Sequence, residues 1–250
     1  MYYPAFEAFR DLCRDYQGYD KVNLSCASGT GVKTLELLHQ DLCDLVVTID
    51  TKGHYADFNR YCNLFHLEYR DVAEASFSVQ LSRNHPLLRE SPFDFAKLKN
   101  YPYVAYTDGN GGNLNWTPWS SVVNPDKLIR VQFIASRISL VASTNAFSLV
   151  FPHSRAYNEA NGVVTVPLPF DPLILGYIYS RDRGLGEAGE AYVRHLKERI
   201  REHFGEDGKK NRKCAEREKT LRKTRRKRLH FPRAFVMIIT CDILIPCSRY

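Results

Sequence analysis

The chain has no CxxC pair. Its seven cysteines, at 13, 26, 43, 62, 214, 241 and 247, are odd in number and scattered over 250 residues. That pattern excludes a disulfide framework or a zinc site and points to a reduced, cytoplasmic compartment. Cys26 and Cys43 sit inside apolar runs, where a free thiol behaves as a small hydrophobe. Eight histidines form no HxH or HExxH set, which leaves metal catalysis without support. There is no G-x-S-x-G elbow for a serine hydrolase. Gly29-Thr30-Gly31-Val32-Lys33-Thr34 is similar to the end of a P-loop, but Val32 separates Gly31 from Lys33, so the phosphate-cradling motif is broken. Met1–Arg10 has no apolar core and carries Glu7, which excludes a secretory signal of the usual form. The most apolar late stretch, Phe235 to Pro246, is too short to span a bilayer and contains Asp242. No internal repeat is visible. The expectations are a soluble protein that is not an enzyme, with no cofactor, no metal and no membrane partner.

The net charge of +7 is a property of one end. Residues 209–250 hold fourteen Lys/Arg against three Asp/Glu, a net of +11, so residues 1–208 sum to −4. The run Lys223 to Arg228 would bind any polyanion without reading sequence; its simpler reading is a disordered or non-native segment. After it the chain turns apolar with no assignable period. Residues 206–250 are therefore expected to be a basic tail, and the domain to stop near 205.

Within the body, the patterns alternate. Pro4 starts a helix in which Phe6, Phe9, Leu12 and Tyr16 recur at helical spacing. Lys21–Ala27 alternates like a strand, with Val22, Leu24 and Cys26 on one side. Ser28-Gly29-Thr30-Gly31 turns into a helix over Val32–Gln40, and Leu45–Ile49 is a continuous apolar run, the mark of a strand buried on both faces. Helix, strand, helix, strand implies parallel strands with right-handed crossovers. Such a unit normally opens with a strand, and here that first strand is missing. Extended stretches follow at 65–72 and 76–82, a short helix near 93–98, strands at 103–106 and 127–134, a helix capped by Ser136, and strands near 147–151, 163–166 and 173–179. An amphipathic helix closes the body at Leu185–Phe204.

In this order the segments resemble the effector-binding domain of LysR-type transcriptional regulators over roughly residues 4–204. The likeness rests on Pro4-Ala5-Phe6 with Phe9-Arg10, on Ser28 to Leu38 followed by Leu42-Cys43-Asp44-Leu45, and on Asn84-His85-Pro86-Leu87. It continues through Leu98 to Tyr106, Val150-Phe151-Pro152, and Val163 to Arg183. The family's Gly-rich turn stands here as Val141 to Ala146 without glycine, and the family's N-terminal helix-turn-helix has no counterpart.

The resemblance implies an α/β fold of two Rossmann-like subdomains, like a type II periplasmic binding protein. Subdomain I would be about 1–72 plus 170–204, and subdomain II about 73–169. It also implies a small, anionic metabolite held in the cleft, and assembly as a homodimer or a heteromer with a full-length relative. Specific DNA binding follows only if a helix-turn-helix is supplied.

The candidate effector-binding residues are Ser28, Gly29 and Thr30, at a strand-to-helix corner where free amides and the helix dipole favour an anion; Tyr106, Thr107 and Asp108, at the end of a strand; and Ser136 with Arg137, a helix start and a carboxylate fork. Each has a plainer reading: Ser28 or Thr30 as a helix cap, 106–108 as a turn, Arg137 as a solvated cation. His85 is read as a structural turn residue. A solute-binding protein of a transport system shares this fold, and so does a non-functional gene remnant whose missing strand exposes a sheet edge.

Overall fold

The first helix buries its small side chains rather than its large ones. The structure, a computed structural model, describes residues 3–29, 31–51, 55–106, 121–204 and 235–240. In α1 (Tyr3–Asp15), Ala5, Ala8 and Leu12 are fully buried, whereas Phe6, expected on the inner face, is 43% exposed. The alanines let α6 (Gly186–Phe204) approach closely. The two helices run antiparallel, so their ion pairs step in opposite order: His195 with Asp15 at 2.6 Å, Arg199 with Asp11 at 2.6 Å, and His203 with Glu7 at 2.9 Å. The Arg199 hydrogen bond holds the Asp11 carboxyl below its ordinary pKa.

Next come β1 (Leu24–Gly29), α2 (Gly31–His39), β2 (Leu45–Thr51), α3 (Tyr55–Leu64) and β3 (Leu67–Ala75). With β9 (Leu173–Ser180) and β10 (Phe235–Thr240) they build a five-stranded sheet in the order β1-β10-β2-β9-β3. β1, β10 and β2 are parallel, while β9 runs antiparallel to both β2 and β3. Strand alternation divides the core: Leu45, Val47, Leu175 and Tyr177 join α1 and α6, and Val46 and Ile178 join Leu35, Leu38 and Cys62 of α2 and α3. At Gly176 the Tyr69 ring occupies the space a Cβ would need.

The second sheet centres on β4 (Ser78–Ser82), flanked by antiparallel β7 (Ser148–Val150) and β8 (Val163–Pro167). β5 (Tyr103–Tyr106) and β6 (Leu128–Val131) pair in parallel, and a bridge from Tyr103 to Phe147 sets β5 beside β7. α4 (Ile134–Ser143) and α5 (Arg155–Ala160) complete this half. Two crossovers join the sheets, residues 76–77 and 168–172. They are tied by Leu168 N–H donating to the Phe77 carbonyl at 2.7 Å and by the Phe77–Phe170 ring contact at 6.0 Å. His85 is a structural residue here: its Nδ1 accepts from the Leu87 N–H at 3.2 Å, leaving Nε2 to donate to the Asn145 carbonyl at 3.0 Å. This is the two-sheet, two-crossover α/β layout expected from the sequence.

Four details depart from the sequence reading. Helices α3 and α5 were not visible as periodic runs, being short and rich in polar residues. Ser136 does not cap α4: the N-cap position is Phe133, with no side-chain cap bond, and Ser136 lies exposed inside the first turn. Residues 235–240, which show no period, form an interior strand. An interior strand reads as an apolar run rather than an alternation, and Phe-Val-Met-Ile-Ile-Thr is such a run. The sheet edge expected to be exposed is thereby paired, since β10 lies between β1 and β2.

Candidate functional site

The registers alone show which sheet edges meet. β2 ends at Thr51 opposite Leu173, the first residue of β9, and β3 ends at Ala75 opposite the same residue. Both crossovers therefore leave from the carboxyl edge of the parallel strands. Gly29, the last residue of β1, lies on that edge, so Ser28 and Gly29 stand at the junction. In the second sheet, Ser78 opens β4 at the junction and pairs with Val150 and Pro167, the ends of β7 and β8. β5 runs parallel to β7, so Tyr106 ends at the junction as well, beside Val131 of β6. α4 starts just beyond β6, and its far end is fixed away from the junction by Ser82 Oγ donating to the Ala142 carbonyl at 3.0 Å. Its first turn, with Ser136 and Arg137, thus faces the junction.

The fold accordingly brings Ser28, Gly29, Tyr106, Ser136 and Arg137 to opposing edges of two sheets, where open α/β sheets take ligands. Thr30, Thr107 and Asp108 lie outside the described residues, as do the Gly/Asn-rich loop and the Lys223–Arg228 run.

Arg137 is not the solvated cation of the plainer reading. It is 8% exposed, and its Nε has no hydrogen-bond partner among the described residues. His153, three residues past β7, lies nearby and is buried. Burial first, then the Arg137 and His203 charges, push its pKa down to about 3. A neutral imidazole contributes no anion, and among the described residues no carboxylate pairs with Arg137. A buried guanidinium without a counter-ion costs several kcal/mol, roughly, unless something supplies the charge. His153 was missed by the sequence reading because nothing in its neighbours signals burial. Among the described residues Thr48 and Gln80 also carry buried polar atoms without partners, but they lie within β2 and β4 rather than at the edges. Among the described residues no cluster of His, Cys, Asp and Glu could hold a metal ion, and no helix is long and apolar enough to cross a membrane.

The family model described as the LysR substrate binding domain matches residues 4–201. The chain belongs to this family. Solved structures agree on the LysR fold. The regulatory domain of MetR, a LysR family regulator from N. meningitidis, is 14% identical, with a TM-score of 0.53 over 78% of this chain and 87% of that one. Reduced OxyR from N. meningitidis is 14% identical, with a TM-score of 0.51 over 78% and 88%. The effector binding domain of QuiR in complex with shikimate is 15% identical, with a TM-score of 0.51 over 79% and 90%. No curated protein matches the chain. This LysR domain is thus the effector-binding module of a regulator family, with the type II periplasmic-binding-like fold.

The depressed His153 gives the LysR domain an acid-sensitive side. Its folded pKa of about 3 lies below the unfolded value of about 6.5, so the unfolded chain binds the extra proton between these limits. Stability contributed by neutral His153 is full above about pH 6.5 and is lost as pH falls towards about 3. His153→Gln is expected to flatten the fall in denaturation midpoint between pH 6.5 and 4. An unchanged slope in urea titrations at these pH values would show that His153 is not the titrating group.

Proposed function

We propose that this LysR domain is a cytoplasmic sensor that binds a small metabolite carrying a carboxylate or phosphate, and that it is not an enzyme. The metabolite lies between Ser28-Gly29-Thr30 on one side and Tyr106-Thr107-Asp108 with Ser136-Arg137 on the other. The division falls near residues 75 and 170, with one subdomain on each side. The observation that carries this reading is buried Arg137 at the junction-facing start of α4, which among the described residues meets no carboxylate and whose Nε has no hydrogen-bond partner there. An anion arriving there satisfies a cation that the fold has already desolvated. The strand-to-helix corner at Ser28–Gly29 supports the same charge preference from the opposite edge. Closure of the two halves over the ligand would shift a two-state equilibrium, as ligands with differential affinity do. That shift would pass to a second copy or a full-length relative, and to specific DNA only where a helix-turn-helix is supplied.

A thermal-shift screen of the full chain against carboxylic and phosphorylated metabolites, shikimate included, tests this. One acid is expected to raise the melting temperature, with the response lost in Thr30→Ala. Stabilisation by neutral analogues alone, equal in the wild type and the variant, would overturn the anion reading.

A further inference from the structure

The parallel half of the first sheet is built from chain segments about two hundred residues apart. β1 and β2 do not touch as neighbours; β10 lies between them. Its whole length pairs with β1, from Leu24 with Phe235 to Gly29 with Thr240, and its middle pairs with β2 from Leu45 with Met237 to Val47 with Ile239. Met237 is fully buried in the main core, in one row with Cys26 on one side and the fully buried Leu45 on the other. Removing β10 would leave two facing strand edges with unpaired N–H and C=O groups and a hole where Met237 stands. The thirty residues from 205 to 234 are ample to carry the chain from the end of α6 to the start of β10, and closing a loop of that size costs little more than closing a shorter one.

The register has a second consequence. Thr240 lies opposite Gly29, so β10 ends at the corner that holds Ser28 and Gly29. We propose that the gap between β1 and β2 is a strand-binding site, that Phe235–Thr240 is its ligand within the same chain, and that this docking holds the Ser28–Gly29 corner in place. The site accepts a short apolar strand in parallel register with both neighbours. A strand of alternating polarity does not suit it, because both faces of β2 are buried. The proposal stands independently of which effector the domain binds.

Hydrogen exchange on the full chain tests it directly. The amides of 235–240 are expected to be protected together with those of 24–29 and 45–47. Exchange of 235–240 at the rate of an unstructured peptide, with 45–51 still protected, would overturn the proposal. In Met237→Asp, a charge in the core row is expected to undock the strand, so that amides 24–29 exchange at least about a hundredfold faster while 78–82 and 163–167 keep their protection. Unchanged protection at 24–29 would also overturn it.

Should that variant fail to fold, Met237→Cys gives an independent reading in a chain with Cys214, Cys241 and Cys247 changed to Ser. Directly paired positions fall within disulfide range. Burial pushes the Cys26 thiol up to about 12, so the chain is oxidised while refolding from urea, before that thiol is covered. The expected product is a disulfide from Cys26 to position 237 in a species of monomer mass. Val236→Cys, opposite Ser25 and on the other face of the sheet, is expected not to form it. Equal yields at the two positions, or a product linking two chains, would overturn the assignment.

Discussion

Replacing Arg137 with Met is expected to raise the melting temperature of the ligand-free chain while abolishing its response to an anionic effector. The two effects have one cause. Arg137 is 8% exposed, its Nε is unpartnered among the described residues, and the nearby His153 is held neutral. Among the described residues the unliganded fold therefore offers this buried cation no counter-ion. Exchanging a buried ion for a packed apolar side chain of similar length typically stabilises by about 1–4 kcal/mol. In a domain of this size each kcal/mol moves the midpoint by roughly 2–4 °C. Binding moves the other way. Losing one partner of a buried, hydrogen-bonded charge pair costs about 2–5 kcal/mol, or roughly thirty- to several-thousand-fold in affinity. Paired melting curves with and without the stabilising acid read both effects. A lower ligand-free midpoint together with an intact ligand shift would mean that Arg137 is structural and that the anion is held elsewhere.

Phe147→Ala is expected to be the most destabilising single change in the second sheet. Phe147 is fully buried and its ring lies 5.4 Å from Tyr103. Its N–H donates to the Pro102 carbonyl at 2.9 Å and its carbonyl accepts from the Val104 N–H at 2.8 Å, so this one residue ties β5 to β7. Alanine keeps both backbone bonds and removes the ring, which isolates the packing contribution at about 3–5 kcal/mol. The midpoint is expected to fall by on the order of 10 °C. Phe133→Ala, at a position 70% exposed, is expected to change stability by less than about 0.5 kcal/mol and serves as the control. Because β5 carries Tyr106 to the junction, the Phe147 variant is also expected to lose effector response at temperatures where most of the chain is still folded. Equal midpoints for the two variants in denaturation curves would show that β5 is held by other contacts.

Several of the candidate positions were legible as local structure. The corner at Ser28–Gly29 was visible because a strand period gives way to a turn and then a helical period, and the structure puts it at the end of β1. Tyr106 was visible as a strand end, and it is one. Arg137 was visible as a charge at a helix start, but its burial was not, because exposure depends on what packs over α4. Ser136 shows the reverse error: a hydroxyl at a plausible capping position, displaced from that role because α4 begins two residues earlier. Phe6 shows it too, since helical spacing identifies an apolar face without saying which neighbour covers it.

Element order, the switch between periods, the family likeness and the separation of acidic body from basic end were all properties of the sequence by itself, because each depends on residues a few positions apart. Only the tertiary structure decided that Phe235–Thr240 fills the place between β1 and β2, that strand ends of both sheets meet at one junction, and that Arg137 is buried. Strand pairing and burial are set by partners distant in sequence, and an apolar run has no period that names the neighbour it will pack against.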